Sequence, residues 1–483
     1  MHRVPLDLRP LHRLTLDECA ASPAGGDNPV LFQAMEGGPH RDAADTVQPL
    51  EFALRRQPLS RATATGLDLL TKVQLDLMIE RHGPFALNHP SPDPNLSYSY
   101  NKCITHVKRS AVGTNKKEGP VIVDAHAHIF PPLAGACGFP RVEDHLRFVQ
   151  LYIGTHGEPV RRLRDHAIVP EAEAALHDGV LRGPEGLKST ANFRIGRFGR
   201  FEWEWQGETY YRPYLPPSMQ EAVSPATFIV QQMGRAGVDR AILQNARPYG
   251  RLNDEFAAAV RQFPDRLIGL ADVQEDEAHT ERERHELRRA IKHLGLRGLY
   301  YANRGLFLDR YAHGLDDPRY APFWEEVVAL DIPVFWEIIG TPMPTEATYL
   351  RELDRVNRWC ARYPRIPCIL THGIAPEYLA GNIPEPIARL LEREQVMIEV
   401  LYPIHWGRAH DYPYPELRPV IQCLYHRVGA ERLVWGSDMP NVERNCTYRQ
   451  SREYLAHLLG GITTAAETEA IVGGNALRLV GEP

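Results

Sequence analysis

Val121-Ile122-Val123-Asp124-Ala125-His126-Ala127-His128 decides how the rest of the chain is read. Residues 121–125 form a short apolar run of the kind expected in a parallel strand covered on both faces. Two histidines, His126 and His128, follow it one residue apart. Side chains alternate along a strand with period two, so both imidazoles point the same way. Two converging imidazoles invite a metal. The alternative, a pair of core histidines, would bury two polar rings side by side, which is costly unless each finds a partner.

Seven further runs of this type follow, at 240–245, 267–273, 295–301, 333–337, 368–372, 397–400 and 433–436, with amphipathic stretches such as 278–293 between them. Eight parallel strands alternating with helices predict an α/β fold, a (β/α)8 TIM barrel, over residues 120–483. The gap between the first and second strands is too long for one crossover helix. Residues 131–239 therefore read as an insertion, and an insertion after a barrel strand sits on the catalytic face, where it roofs the active site.

Residues 1–119 are rich in Pro, Gly and Ser, with one helical pattern at 67–79, and read as an N-terminal arm and linker. Hydrophobic residues make up 43% and charged residues 24% of the 483, ordinary for a soluble globular protein. A net charge of −6 with scattered basic residues leaves no footprint for nucleic acid or an anionic membrane surface. Pro and Arg interrupt the apolar residues at the N-terminus and no run approaches a membrane span, so a cytoplasmic location is expected. Seven cysteines without a CxxC pair argue against a disulfide framework or a cysteine zinc site.

Two more strand ends carry chemistry. Asp438 follows Leu433-Val434-Trp435-Gly436-Ser437, where a carboxylate can reach the same metal or take a proton, although Asp is also a favoured helix cap. His372 ends Ile369-Leu370-Thr371-His372-Gly373; alone it could be a core histidine, the lesser reading, and beside the others it reads as a ligand or general acid.

With these residues in place the sequence resembles the amidohydrolase superfamily, in the amidohydrolase-related, aminocarboxymuconate-semialdehyde-decarboxylase-like branch. The resemblance covers roughly residues 120–480. It rests on His126 and His128, on Asn253 with Phe263-Pro264-Asp265-Arg266-Leu267-Ile268-Gly269-Leu270, and on Leu294-Gly295-Leu296-Arg297-Gly298. Further matches are Leu315-Asp316-Asp317-Pro318 leading to Pro333-Val334-Phe335, Thr371-His372-Gly373, Gly436-Ser437-Asp438 with Pro440, and Gly474-Asn475-Ala476. It implies that His126, His128 and Asp438 are metal ligands, that His372 is a ligand or an acid/base group, and that the protein forms a homodimer.

One position departs from the family. Where the fifth strand usually ends in a metal-binding histidine, this chain has Glu337, and a glutamate can bridge two ions. Glu399 on the seventh strand is a second candidate ligand, and His405 lies in the loop that follows. Histidines mixed with carboxylates suit one or two divalent ions of Zn, Mn or Fe. Arg247, Arg304, Trp336, Trp406 and His405 are candidate substrate contacts, the arginines for a carboxylate and the aromatics for a bulky or cyclic group. The leading expectation is hydrolysis or non-oxidative decarboxylation of a small carboxylate or cyclic substrate, with Asp438 and His372 catalytic. The alternative is a non-haem diiron monooxygenase hydroxylating a bulky apolar substrate, with Fe as the metal. A non-catalytic scaffold is disfavoured because the ligands are retained.

Overall fold

The computed structural model describes residues 119–179, 183–407 and 409–482, apart from the side chain of Trp406. The arm at 1–119 and its helical pattern at 67–79 lie outside the described residues, save Gly119.

In chain order the strands are β1 (Val123–Ala127), β2 (Arg161–Arg162), β3 (Arg194–Ile195), β4 (Arg200–Trp205), β5 (Glu208–Pro213), β6 (Arg240–Leu243), β7 (Leu267–Gly269), β8 (Leu299–Ala302), β9 (Val334–Glu337), β10 (Cys368–Leu370), β11 (Val396–Val400) and β12 (Leu433–Trp435). β1, β6 and β7 form one parallel sheet, and β8 to β12 form another. Bridges between Ala271 and Leu299 and between Ala127 and Met439 join the two at both seams, so eight strands close into a barrel. A helix follows each barrel strand, from Ala226–Ala236 after β1 to Tyr448–Leu459 after β12, which gives the (β/α)8 architecture. No helix among the described residues is long and apolar enough to cross a membrane.

Period-two alternation sorts the strand residues into two cores. Val123, Ala125, Ile242, Ile268, Tyr300, Phe335, Ile369, Met397 and Val434 fill the barrel, and the C-terminal helix Asn475–Leu479 packs on that cluster through Ala476, Leu477 and Leu479. The alternate positions, including Leu243, Tyr301, Trp336, Leu370 and Trp435, face the helices.

The pattern changes phase in β1. Its pairing with β6 slips between Asp124 and Ala127, so Val123 and Ala125 fill the interior below while His126 and His128 take the inward phase above. Bulges of this sort re-aim side chains beside active sites. The strand begins two residues later than the pattern 121–125 predicts.

Most of the span 131–239 is an inserted layer. β2, β5, β4 and β3 form an antiparallel sheet in that order, accompanied by the helix Val142–Gly154. Its last part is not insertion, because Ala226–Ala236 is the ordinary crossover helix to β6, ended by Gly237 at φ +73°.

Candidate metal centre

The barrel rim brings His126, His128 and Asp438 together, with one ligand atom from each lying within 4.8 Å of the others, and all three residues are buried. His126 Nε2 is 3.1 Å from His128 Nε2, which is 2.9 Å from Asp438 Oδ1. What lies behind each imidazole sets its tautomer. His128 Nδ1 is 2.8 Å from the backbone oxygen of Gln244, which can only accept. His126 Nδ1 is 3.0 Å from Glu399 Oε2, an oxygen that also accepts the backbone N–H of His372 at 2.7 Å. With the protons on Nδ1, both Nε2 atoms can offer a lone pair to a cation. Two ring nitrogens and a carboxylate oxygen converge, and the cluster calls for positive charge among them, from a proton on His128 Nε2 or from a cation in its place.

The electrostatics agree. Burial and the neighbouring His128 lower His126 to about 4, so it is neutral at ordinary pH. Burial works against charge on His128 too, but the hydrogen bond and charge of Asp438 outweigh it and raise that imidazole above its usual value. Burial would raise Asp438, yet the hydrogen bond from His128 and the charges of the three histidines hold it well below the usual carboxylate range. Burial pushes Glu399 up to about 8, against the pull of His372, so its carboxylate needs a nearby cation to stay ionised at neutral pH.

The backbone is built for this arrangement. His372 and Asp438 are both left-handed, at φ +63° and +64°, a cost that non-glycine residues bear mainly at functional sites. Glu399 Oε1 is buried without a partner against Gly436, where a Cβ would lie 2.4 Å from it, so only glycine admits the carboxylate. Asn441 Nδ2 donates to Asp438 Oδ1 at 2.7 Å and is 2.8 Å from the Tyr249 hydroxyl.

The other candidates separate into three groups. His372 stacks on His126 with ring centroids 4.9 Å apart, and its Nε2 lies 3.7 Å from Asp438 Oδ2. His405, exposed, stands edge-on to His372 at 5.6 Å. Glu337 is buried at the end of β9 and its Oε2 accepts the hydroxyls of Tyr152, at 3.2 Å, and Tyr300. Burial, then the Glu337 charge, raise both phenols well above their ordinary value, so they remain donors. The Arg304 guanidinium lies 3.8 Å over the Tyr152 ring and forms no ion pair with a carboxylate among the described residues; its Nε is buried and unpartnered.

Three expectations need correction. Glu399 stands behind His126 and outside the converging group, where it orients the ring. Arg247 is buried and committed to Asp272 at 2.9 Å and Glu275 at 3.0 Å, so its charge is spent within the fold. Trp336 is fully buried among Tyr301, Trp324 and Trp359 on the helix side, because its neighbour Glu337 holds the inward phase of β9. The Trp406 side chain lies outside the described residues.

The family model of the amidohydrolases matches residues 123–481. The chain belongs to the amidohydrolase family. In this amidohydrolase His126, His128 and Asp438 form a cluster that could hold a divalent metal ion. No curated protein matches it. Among solved structures it is similar to 5-carboxyvanillate decarboxylase from Sphingomonas paucimobilis, with 18% identity, 53% of this chain and 82% of that chain covered, and a TM-score of 0.39. It is similar to a probable 2-pyrone-4,6-dicarboxylic acid hydrolase from Acinetobacter baumannii, with 19% identity, 54% and 90% coverage and a TM-score of 0.43. A dihydroxybenzoic acid decarboxylase from Polaromonas sp. JS666, with bound manganese and 2-nitroresorcinol, gives 19% identity, 52% and 85% coverage and a TM-score of 0.39.

Residues missed in the sequence are those that act through others. Gln244 offers the site only its backbone oxygen, Tyr152 comes from the long span between β1 and β6, and Tyr300 lies within the apolar run of β8. Asn441, three residues beyond Asp438, was the one with a local signal. Replacing Glu399 with Gln is expected to weaken metal affinity about 10- to 100-fold, as loss of a carboxylate behind a histidine ligand does. Competition against a fluorescent chelator measures it, and an unchanged affinity would remove Glu399 from the site.

Proposed function

We propose that this amidohydrolase cleaves a small substrate that carries a carboxylate, by hydrolysis or non-oxidative decarboxylation, at a cation held by His126, His128 and Asp438. The convergence of two imidazole nitrogens and a carboxylate oxygen in those three residues carries the reading. A divalent cation bound there, Zn, Mn or Fe by ligand type, supplies Lewis-acid polarisation of a substrate carbonyl or carboxyl group. Asp438 Oδ2 is turned away from His128 toward His372, so the pair is placed to move a proton at the reacting group. His405, exposed beside His372, is placed to touch the substrate.

Arg304 anchors the substrate carboxylate in this reading. A guanidinium held on an aromatic face without a carboxylate partner is a ready anion site. Replacing Arg304 with Met should raise KM about 10- to 100-fold, the worth of a charged hydrogen bond, with a smaller effect on kcat. An unchanged KM in steady-state kinetics would remove Arg304 from substrate binding.

Metal analysis of protein purified without added metal tests the whole reading. About one divalent ion per chain is expected, removed by a chelator with loss of activity and restored with it. Carbon dioxide release separates decarboxylation from hydrolysis. Two irons per chain with dioxygen consumption would establish the diiron monooxygenase instead. Glu399 behind His126, and Glu337 between two tyrosines, are the carboxylates that alternative drew upon, and their placement weighs against it. A homodimer belongs to the same proposal, and a monomer mass in sedimentation would contradict it.

A further inference from the structure

Asp438 serves two partners at once, with Oδ1 toward His128 and Oδ2 toward His372. The terminal torsion of an aspartate is broad, so β12 alone does not aim the carboxylate. Asn441 does. It opens the short helix Asn441–Arg444 just beyond Asp438. Its amide nitrogen donates to Asp438 Oδ1 at 2.7 Å and to the Tyr249 hydroxyl at 2.8 Å, which uses both N–H groups. Its Oδ1 is buried without a hydrogen bond among the described residues. The reverse orientation of the amide would set that oxygen against the carboxylate. Both donors therefore serve the site while the acceptor goes unpaired, a costly arrangement for a residue that only fills space.

Tyr249 anchors the other end. It follows β6, is buried, stacks on Phe130 with ring centroids 4.5 Å apart and leans on the His128 ring at 4.9 Å. Because its oxygen takes an Asn441 N–H, its own proton is left for the Tyr214 hydroxyl, which stands just beyond β5 in the inserted layer. Asn441 and Tyr249 thus form a strap from the end of β12 to the end of β6, over the strand β1 that lies between them and carries His128.

We propose that Asn441 is a positioning residue of the metal centre, which holds Asp438 in its ligating pose, and that Tyr249 acts on the metal through Asn441. This rests on the cation site proposed at His126, His128 and Asp438. A carboxylate that is already aimed loses less freedom when the ion arrives, so the strap raises the affinity for a divalent cation without touching it.

Manganese(II) titrated into the metal-free full-length protein against a fluorescent chelator tests it. Asn441→Ala should bind the ion about 10- to 100-fold more weakly than wild type, as loss of a group that orients a metal ligand does. Tyr249→Phe, which keeps the stacked ring, should lose about two- to tenfold, the worth of one neutral hydrogen bond. In the Asn441→Ala background the same change should have no further effect beyond about 1.5-fold, because a residue that acts through Asn441 has nothing left to act on. Melting of the metal-free variants, read alongside, separates positioning from packing, since a residue that only packs lowers the melting temperature and leaves the affinity of the folded protein as it was. Wild-type affinity in folded Asn441→Ala, or an undiminished effect of Tyr249→Phe in the double variant, would overturn the proposal. Should Asn441→Ala not fold, Tyr249→Phe decides alone, and wild-type affinity there overturns it. Asp438→Asn in the same titration keeps the two readings apart. If it loses the ion while Asn441→Ala keeps it, the cation site stands and only the strap falls. If wild type binds no manganese(II), or Asp438→Asn binds it unchanged, the cation site falls and the strap with it.

Discussion

Asp438→Asn protein is expected to purify with less than about a tenth of the wild-type metal and to turn over about a thousandfold more slowly, a loss of about 4 kcal/mol of transition-state stabilisation. Asp438 supplies the only negative charge among the three converging atoms, and without it two neutral imidazoles face the cation. Asparagine is the informative substitution because it keeps the shape and tolerates the left-handed φ of +64° that alanine resists. Its amide oxygen, in the place of Oδ1, can still accept from Asn441 and from a protonated His128. The melting temperature of the metal-free protein should therefore stay close to wild type while metal content falls. Elemental analysis and thermal unfolding read the two independently, and a folded Asp438→Asn protein that keeps its full metal would sink the assignment.

How much of this was legible in the sequence follows from the kind of interaction involved. All eight barrel strands were, because each is an apolar run between amphipathic helices, and the rim residues His126, His128, His372 and Asp438 stand at strand ends where chemistry is expected. Strand edges were less legible. The run 295–301 shifts to Leu299–Ala302, because Gly295 is left-handed and Gly298 packs its bare Cα against Leu270 and Pro333. Roles that depend on partners were not legible. Arg247 and Arg304 look alike as residues that follow barrel strands, and only the carboxylates of Asp272 and Glu275, remote in sequence, separate them. Trp336 and Glu337 are adjacent, so attributing both to the cavity overlooked the alternation that sends one outward.

Asp124 shows the same limit and carries the second large effect. The sequence places it beside the histidines without a role, but in the structure it is the pin of the barrel seam. Its Oδ1 accepts the backbone N–H groups of His126 and Ser437, at 3.0 and 2.8 Å, and its Oδ2 accepts the hydroxyls of Ser437 and Tyr448. These bonds tie β1 to the end of β12 and hold the slipped register that turns the imidazoles inward. Asp124→Ala strands four buried donors at about 1–3 kcal/mol each. Against that stands the relief of a buried charge, about 3 kcal/mol for a carboxyl that burial raises from 3.8 to about 6 despite those hydrogen bonds. The donors win, and a net destabilisation of about 3 kcal/mol in urea unfolding is expected, accompanied by weakened metal binding as the bulge relaxes. Asp124→Asn separates the two contributions. Its oxygen keeps the backbone donors, the hydroxyls rotate to accept from its amide, and the charge is gone, so stability should stay within about 1 kcal/mol of wild type. Linkage adds a signature. A carboxyl raised on folding favours the fold below about pH 4, and that margin disappears between about 4 and 6. Asp124→Asn should therefore lose this part of the pH dependence of stability. An alanine variant as stable as the asparagine variant would show that the seam closes without Asp124 and that the aim of His126 and His128 is set elsewhere.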